Sequence, residues 1–370
     1  MDILAQAKAL SQQGQTIYHM EVGEPDFPTA ECIVDAGIKA LEQFKTHYTP
    51  ALGLPELREA IAEYYQRKYS LNITPERIIV TPGASGAIQL AMTCLLDAGD
   101  NVLLADPGYP CNRNIAEVLA AESISIPVEA ENYYQLDAKC VAENWNNKTR
   151  AAMVATPSNP TGTLLPKQQL LELCQLIEQK KGRLIVDEIY QGLVYDGHDN
   201  TALSVSDDCF VINSFSKYFG MTGWRLGWMV VPESYVDAID RIAQNIFLAP
   251  PTMSQYAALT ALKADTQIIL DERRDIFKQR RDFLLPVIKQ LGFEVAVEPQ
   301  GAFYIYANCE RFTDDSYNWV KQLLKEQGVA LTPGIDFGDY LANKHCRFAY
   351  TQSLEVLEQA MDKVDIFINK

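Results

Sequence analysis

Lys217 follows the stretch Phe210-Val211-Ile212-Asn213-Ser214-Phe215-Ser216. A lysine amine just past an apolar strand can be desolvated into a nucleophile for a carbonyl. Asp187 closes Arg183-Leu184-Ile185-Val186, where a buried carboxylate needs a cationic partner. Gly83-Ala84-Ser85 opens an apolar helical stretch, and its free N–H groups suit a phosphate. Ser214 and Ser216 stand at the same strand end, and Arg225 precedes the next strand. Tyr109 offers a flat aromatic face, Asn159 an amide and Tyr190 a phenol. Each group also has a plainer reading. Lys217 could be a surface lysine and Asp187 a helix N-cap. Gly83 could mark a tight turn, and Arg225 could pair with one of 48 acidic residues. Taken singly, the plainer readings win. What decides is whether the groups share one place.

The pattern of elements brings them together. Short apolar runs alternate with helical patterns: strands at 77–81, 101–105, 123–128, 150–155, 183–186, 210–213 and 227–231, with helices of about ten or more residues between most of them. Buried strands joined by helices predict an α/β fold, a mainly parallel seven-stranded sheet with helices on both faces. Ligands of such sheets bind past the carboxyl ends of the strands. The sequence there reads Thr81-Pro82-Gly83, Asp106-Pro107-Gly108-Tyr109, Asn159-Pro160-Thr161-Gly162, Asp187-Glu188-Ile189-Tyr190 and Ser214-Phe215-Ser216-Lys217. After about 233 the pattern changes to long helices, then strands at 293–297, 303–307 and 347–350. This predicts a smaller α+β domain. The expected division is a large cofactor-binding domain over 26–275 and a small discontinuous domain from 1–25 and 276–370.

Composition sets the limits. A chain of 370 residues with 48% hydrophobic and 22% charged residues is globular and large enough for two domains. No apolar run approaches a membrane span. The net charge of −16 disfavours nucleic acid and anionic membranes as partners. Met1-Asp2 lacks a basic leader, so a cytoplasmic location is expected. None of the eight cysteines forms C-x-x-C. The pair His19-Met20-Glu21 and Pro110-Cys111 lacks the last ligand of a zinc deaminase, since residue 114 is Asn. No metal is expected.

One ligand uses a phosphate cradle, a lysine, a buried carboxylate, a phenol and an aromatic plate together: pyridoxal 5'-phosphate. Its aldehyde condenses with an amine, and its ring nitrogen keeps a proton beside a carboxylate. The motifs, in this order along nearly the whole chain, resemble the pyridoxal-phosphate-dependent class I/II aminotransferases of aspartate-aminotransferase-like fold. The resemblance rests on Gly23-Glu24-Pro25-Asp26-Phe27, Tyr48-Thr49-Pro50, Thr81-Pro82-Gly83, Asn159-Pro160-Thr161-Gly162, Asp187-Glu188-Ile189-Tyr190, Ser214-Phe215-Ser216-Lys217, Gly223-Trp224-Arg225 and Arg347.

The resemblance implies residue roles. Lys217 is similar to the lysine of the internal aldimine, and Asp187 to the pyridinium partner. Asn159 and Tyr190 resemble the donors to the 3-oxygen. Gly83, Ala84, Ser85, Ser214 and Arg225 resemble the phosphate cup, with Ser216 beside the lysine. Tyr109 matches the stacking aromatic. Tyr48 resembles a tyrosine that reaches the neighbouring subunit's site, which implies a homodimer. Arg347 resembles the arginine that grips the substrate α-carboxylate, with the Gly23 backbone and Asn159 close by. The implied reaction moves an amino group from an L-amino acid to a 2-oxo acid in ping-pong half-reactions. A carbon–sulfur β-lyase on the same scaffold is the alternative. A serine hydrolase using Ser85 in Gly83-Ala84-Ser85-Gly86-Ala87 is a distant one. Substrate specificity stays open: Arg113 is a candidate second cation, and Tyr18, Phe27, Trp224 and Tyr350 are candidates for an apolar pocket.

Overall fold

The computed structural model describes residues 2–370. Its main sheet has seven strands: β1 (Ile78–Thr81), β2 (Asn101–Asp106), β3 (Glu122–Pro127), β4 (Thr149–Ala155), β5 (Arg183–Asp187), β6 (Cys209–Ser214) and β7 (Gly227–Val230). Their spatial order is β1-β7-β6-β5-β4-β2-β3. All neighbours are parallel except β7, which runs antiparallel to both β1 and β6. The central strands β5 and β6 read as almost unbroken apolar runs because both faces are covered. Val80, Val154, Val186 and Val211 point into one core; Ile79, Met153, Ile185 and Ile212 point into the other.

The expected alternation holds closely. Helices Gly83–Leu95, Pro110–Val118, Ala138–Asn144 and Lys167–Gln179 follow β1, β2, β3 and β4 in turn. The chain later forms the long helix Ala264–Gln290. A second sheet of three antiparallel strands follows: β8 (Tyr304–Asn308), β9 (Thr332–Pro333) and β10 (His345–Ala349), in the order β9-β10-β8. The run at 293–297 is not a strand. Glu294 exchanges two backbone hydrogen bonds with Asn308, and the chain then turns away without extending the ladder. Its apolar residues Phe293 and Val295 are buried in the core instead.

The amino-terminal segment packs beside this second sheet, on helix Ser316–Gln327 and in a separate two-stranded sheet. Ile3 and Ala7 pack on Leu324 and Ala330, and Tyr18–His19 pairs in parallel with Val329–Ala330. The chain then continues along β10, where the Ala349 N–H donates to the Met20 carbonyl, and enters the space between the two sheets at Val22 and Gly23. No helix among the described residues is long and apolar enough to cross a membrane.

Candidate active site

The carboxyl ends of β4, β5 and β6 lie side by side, and residues beyond them face a cavity of about 480 Å³. That is within the usual range for small-molecule sites. β7 begins where its antiparallel neighbours β1 and β6 end. Gly227 is paired with both Thr81 of β1 and Ser214 of β6. The antiparallel strand therefore brings Arg225 to the same edge as Gly83 and Ser214. Gly227 and Gly83 permit this approach. A Cβ on Gly227 would stand 2.8 Å from the Gly83 backbone carbonyl carbon and 2.9 Å from the Ala84 nitrogen; one on Gly83 would stand 2.8 Å from the Arg225 guanidinium. Gly83 also has φ +74°, a left-handed conformation that glycine adopts without a Cβ penalty.

Helix Gly83–Leu95 starts here without a side-chain cap. Its first N–H groups and the positive end of its dipole are left to an anion. Ala84 and Ser85 line the cavity, as do Ser214, Ser216 and Arg225. The Ser216 N–H donates to Ser214 Oγ at 3.0 Å, which fixes the turn before Lys217. Arg225 is itself left-handed (φ 54°) and donates from Nη1 to the Thr222 carbonyl at 2.9 Å.

Lys217 and Asp187 face the same space. Lys217 Nζ donates to the Gly23 carbonyl at 2.7 Å. Loss of hydration, and then the charge of Arg347, bring its pKa down to about 8. Asp187 is buried, and one carboxylate oxygen accepts the Ile189 N–H at 3.0 Å. Burial pushes its pKa up to about 6, against that hydrogen bond and the charge of Lys217. Such a carboxylate is short of a positive partner. Tyr109, at the start of helix Pro110–Val118, is 41% exposed and forms one wall. It is placed by its loop: the Gly108 N–H donates to the Phe337 carbonyl, and Asp106 accepts from the Asp339 and Tyr340 N–H groups.

The second sheet supplies the other cation. Arg347 on β10 donates to Asn159 Oδ1 at 2.8 Å and to the Glu21 carbonyl at 2.7 Å, with Thr332 Oγ1 at 3.2 Å. Its guanidinium lies over the Tyr304 ring at 4.1 Å. No carboxylate side chain pairs with it among the described residues, and Nε has no partner. A buried guanidinium left this way is prepared for an external carboxylate.

The structure thus gathers Gly23, Ala84, Ser85, Tyr109, Asn159, Asp187, Tyr190, Ser214, Ser216, Lys217, Arg225 and Arg347 around one cavity, with Gly83 directly behind Arg225. Tyr48 is elsewhere, 82% exposed on the surface. Arg113 does not line this cavity but a small adjoining recess that Tyr109 also lines, and donates to the Asp336 carbonyl at 3.4 Å. The four aromatic candidates for a side-chain pocket do not line the cavity. Phe27 packs on Phe277, Trp224 donates to Thr29, Tyr18 to Gln359, and Tyr350 is fully buried. No histidine among the described residues lines the cavity, so Ser85 has no triad base there.

Sequence reasoning missed Tyr304. Its hydroxyl is 2.8 Å from that of Tyr190, and it lies beneath Arg347. The alternating stretch Phe303-Tyr304-Ile305-Tyr306 signals a strand, but nothing in it signals a site. Val22 and Glu24 also enter the wall; Thr222 does too, donating to Glu24 Oε1.

These residues fit pyridoxal phosphate on their own chemistry. An uncapped helix end, with glycines that a Cβ would block, matches a phosphate. A lysine with a depressed pKa matches an aldehyde, and a buried carboxylate lacking a cation matches a protonated ring nitrogen. Comparison with known proteins agrees. The family model "Aminotransferase class I and II" matches residues 16–364. The chain is 38% identical to a (5-formylfuran-3-yl)methyl phosphate transaminase of Methanocaldococcus jannaschii, covering 100% of this chain and 96% of the relative. It is 36% identical to a valine–pyruvate aminotransferase of Mycobacterium tuberculosis, covering 98% and 94%. Among solved structures, an aminotransferase from Mycobacterium tuberculosis superposes with a TM-score of 0.96 at 35% identity, covering 100% of this chain and 96% of that one. With the family matched over nearly its full length, the chain belongs to the class I and II aminotransferases, pyridoxal-phosphate enzymes that pass an amino group from an amino acid to a 2-oxo acid.

Proposed function

We propose that Lys217 is the amine that holds the cofactor and moves the proton in each half-reaction. The observation that carries this is one cavity lined by the Lys217 amine, the Asp187 carboxylate and two guanidinium groups, Arg225 and Arg347. When bound, the cofactor supplies an electron sink for the pair of electrons left by the Cα proton. The chain does the rest. Ala84, Ser85, Ser214 and Arg225 hold the phosphate, with Gly83 giving them room and Ser216 fixing the approach to Lys217. Asp187 keeps the ring nitrogen protonated. Tyr109 covers the ring. Asn159 and Tyr190 donate to the ring oxygen, Tyr190 being held by Tyr304. Arg347 binds the substrate α-carboxylate in bidentate fashion next to the Gly23 backbone. This would orient Cα–H toward Lys217, whose neutral amine would take the proton and later give it up again within the same half-reaction.

The same reading makes the enzyme a homodimer in which Tyr48 reaches the neighbouring site. The exposure of Phe44 and Tyr48, at 80% and 82%, supports it. It divides the chain into 26–275 and 1–25 with 276–370, supported by the packing of the amino-terminal segment on Leu324 and Ala330 and its pairing with Val329–Ala330. The free state of all eight cysteines suits a cytoplasmic location.

Lys217→Ala tests the central assignment. Borohydride reduction of the wild-type holoenzyme fixes a pyridoxyl group on the peptide containing Lys217, read by mass spectrometry. The variant gains no such mass, and its turnover falls by more than ~10⁴-fold. Labelling of another lysine in the wild type would refute the assignment.

A further inference from the structure

We infer that Tyr304 is a positioning residue whose hydroxyl donates to Tyr190 and so directs the Tyr190 proton at the cofactor's ring oxygen. The inference rests on the role proposed above for Tyr190 and deepens it. Tyr190 Oη and Tyr304 Oη are 2.8 Å apart, and both side chains are buried. Burial pushes both phenols above their ordinary pKa, so each stays neutral and carries one proton. In such a pair one hydroxyl donates and the other accepts. The proposed role sends the Tyr190 proton to the ring oxygen, so within the pair Tyr190 accepts and Tyr304 is the donor. The hydrogen bonds then run in one direction, from Tyr304 to Tyr190 to the ring oxygen. Each bond of such a chain polarises the next, which makes Tyr190 the stronger donor.

Tyr304 is held in place for this from several sides. It stands on β8 opposite Ala349 of β10. Its ring meets that of Tyr190 edge-on, with centroids 5.7 Å apart, and carries the Arg347 guanidinium 4.1 Å from its own centroid. Its hydroxyl lies against Gly23, where a Cβ would overlap it. One side chain therefore touches the group proposed for the ring oxygen and the group proposed for the α-carboxylate, the first through its hydroxyl and the second through its ring face. Phenylalanine in its place keeps the face and removes only the hydroxyl.

The test is a pH titration of the visible absorbance of the purified holoenzyme, which reports whether the ring oxygen shares a proton. Donation from Tyr190 favours the proton-free oxygen and so holds the pKa of that transition down. Removing the donor behind Tyr190 weakens this, and Tyr304→Phe should raise the pKa by about half a pH unit. Tyr190→Phe should raise it further. Tyr304→Phe added to Tyr190→Phe should then change nothing more, because Tyr304 acts through Tyr190. Replacement of Tyr304 by 3-fluorotyrosine keeps the shape and strengthens the donor, so it should move the pKa below that of the wild type. A Tyr304→Phe pKa equal to the wild-type value or lower overturns the inference, and so does a rise that persists in full on top of Tyr190→Phe. Both leave the role of Tyr190 standing as long as Tyr190→Phe alone raises the pKa. Tyr190→Phe without effect overturns that role, and this inference with it.

Discussion

An ordinary lysine is almost wholly protonated at neutral pH and makes a poor nucleophile for a carbonyl. Lys217 is different because it is desolvated and faces Arg347, which bring its pKa down to about 8. About one molecule in ten then carries a neutral amine at pH 7, compared with fewer than about one in a thousand for an unperturbed lysine. The sign is fixed: the reactive form is the deprotonated one, so cofactor uptake speeds up as pH rises. The rate at which apoenzyme gains its visible absorbance should rise tenfold per pH unit below about 8 and level off above it. A rate still climbing steeply at about pH 9.5 would show that the amine keeps the ordinary lysine pKa. Asp187 shows the opposite shift for the same reason. Burial raises its pKa to about 6, so in the empty protein its charge is unfavourable at neutral pH. The cationic ring proposed to lie beside it would remove that penalty and so couple folding to cofactor binding.

The elements matter through their direction and register. A seventh strand is legible in Gly227 to Val231, but the run does not say which way it points. Being antiparallel, β7 starts at the edge where the others end, and its pairing of Gly227 with Thr81 and Ser214 aligns the three segments proposed to hold the phosphate. Gly227→Ala tests this. The added Cβ falls at 2.8 and 2.9 Å from the backbone of Gly83 and Ala84, which neither can yield without moving the helix start. The folded protein should lose about 1–3 kcal/mol of stability, read by denaturant unfolding. Its cofactor dissociation constant should rise at least about tenfold, read by spectral titration. Unchanged affinity would place the phosphate elsewhere. The second sheet works by register as well. Arg347 faces Tyr306 on β8, and Tyr304 lies two residues along on the same face, so the guanidinium covers the Tyr304 ring.

At the scale of the molecule, the site lies between two sheets, and the proposed third participant is a second copy of the chain. If Tyr48 completes the neighbouring site, mixed dimers will reveal it. Lys217→Ala and Tyr48→Ala homodimers should both be impaired at limiting cofactor. Dimers containing one chain of each should regain one intact site, which pairs the unmodified Lys217 of one chain with the unmodified Tyr48 of the other. Activity of the mixture no higher than the average of the two parents would place Tyr48 within its own site.

The sequence alone determined the alternation of elements and the identity of the polar groups. Apolar runs bounded by glycine, proline and asparagine report local burial and local turns, and the motifs past the strand ends follow from them. For that reason Lys217, Asp187, Asn159 and Arg225 were legible as residues. Only the tertiary structure decided what depends on long-range pairing: the direction of β7, the failure of 293–297 to extend a ladder, the place of Tyr304 beneath Arg347, and the hydrogen bond of Arg113 to the Asp336 carbonyl. Each of these is a contact between segments far apart along the chain. Local composition carries no record of which distant partner a strand or side chain will meet.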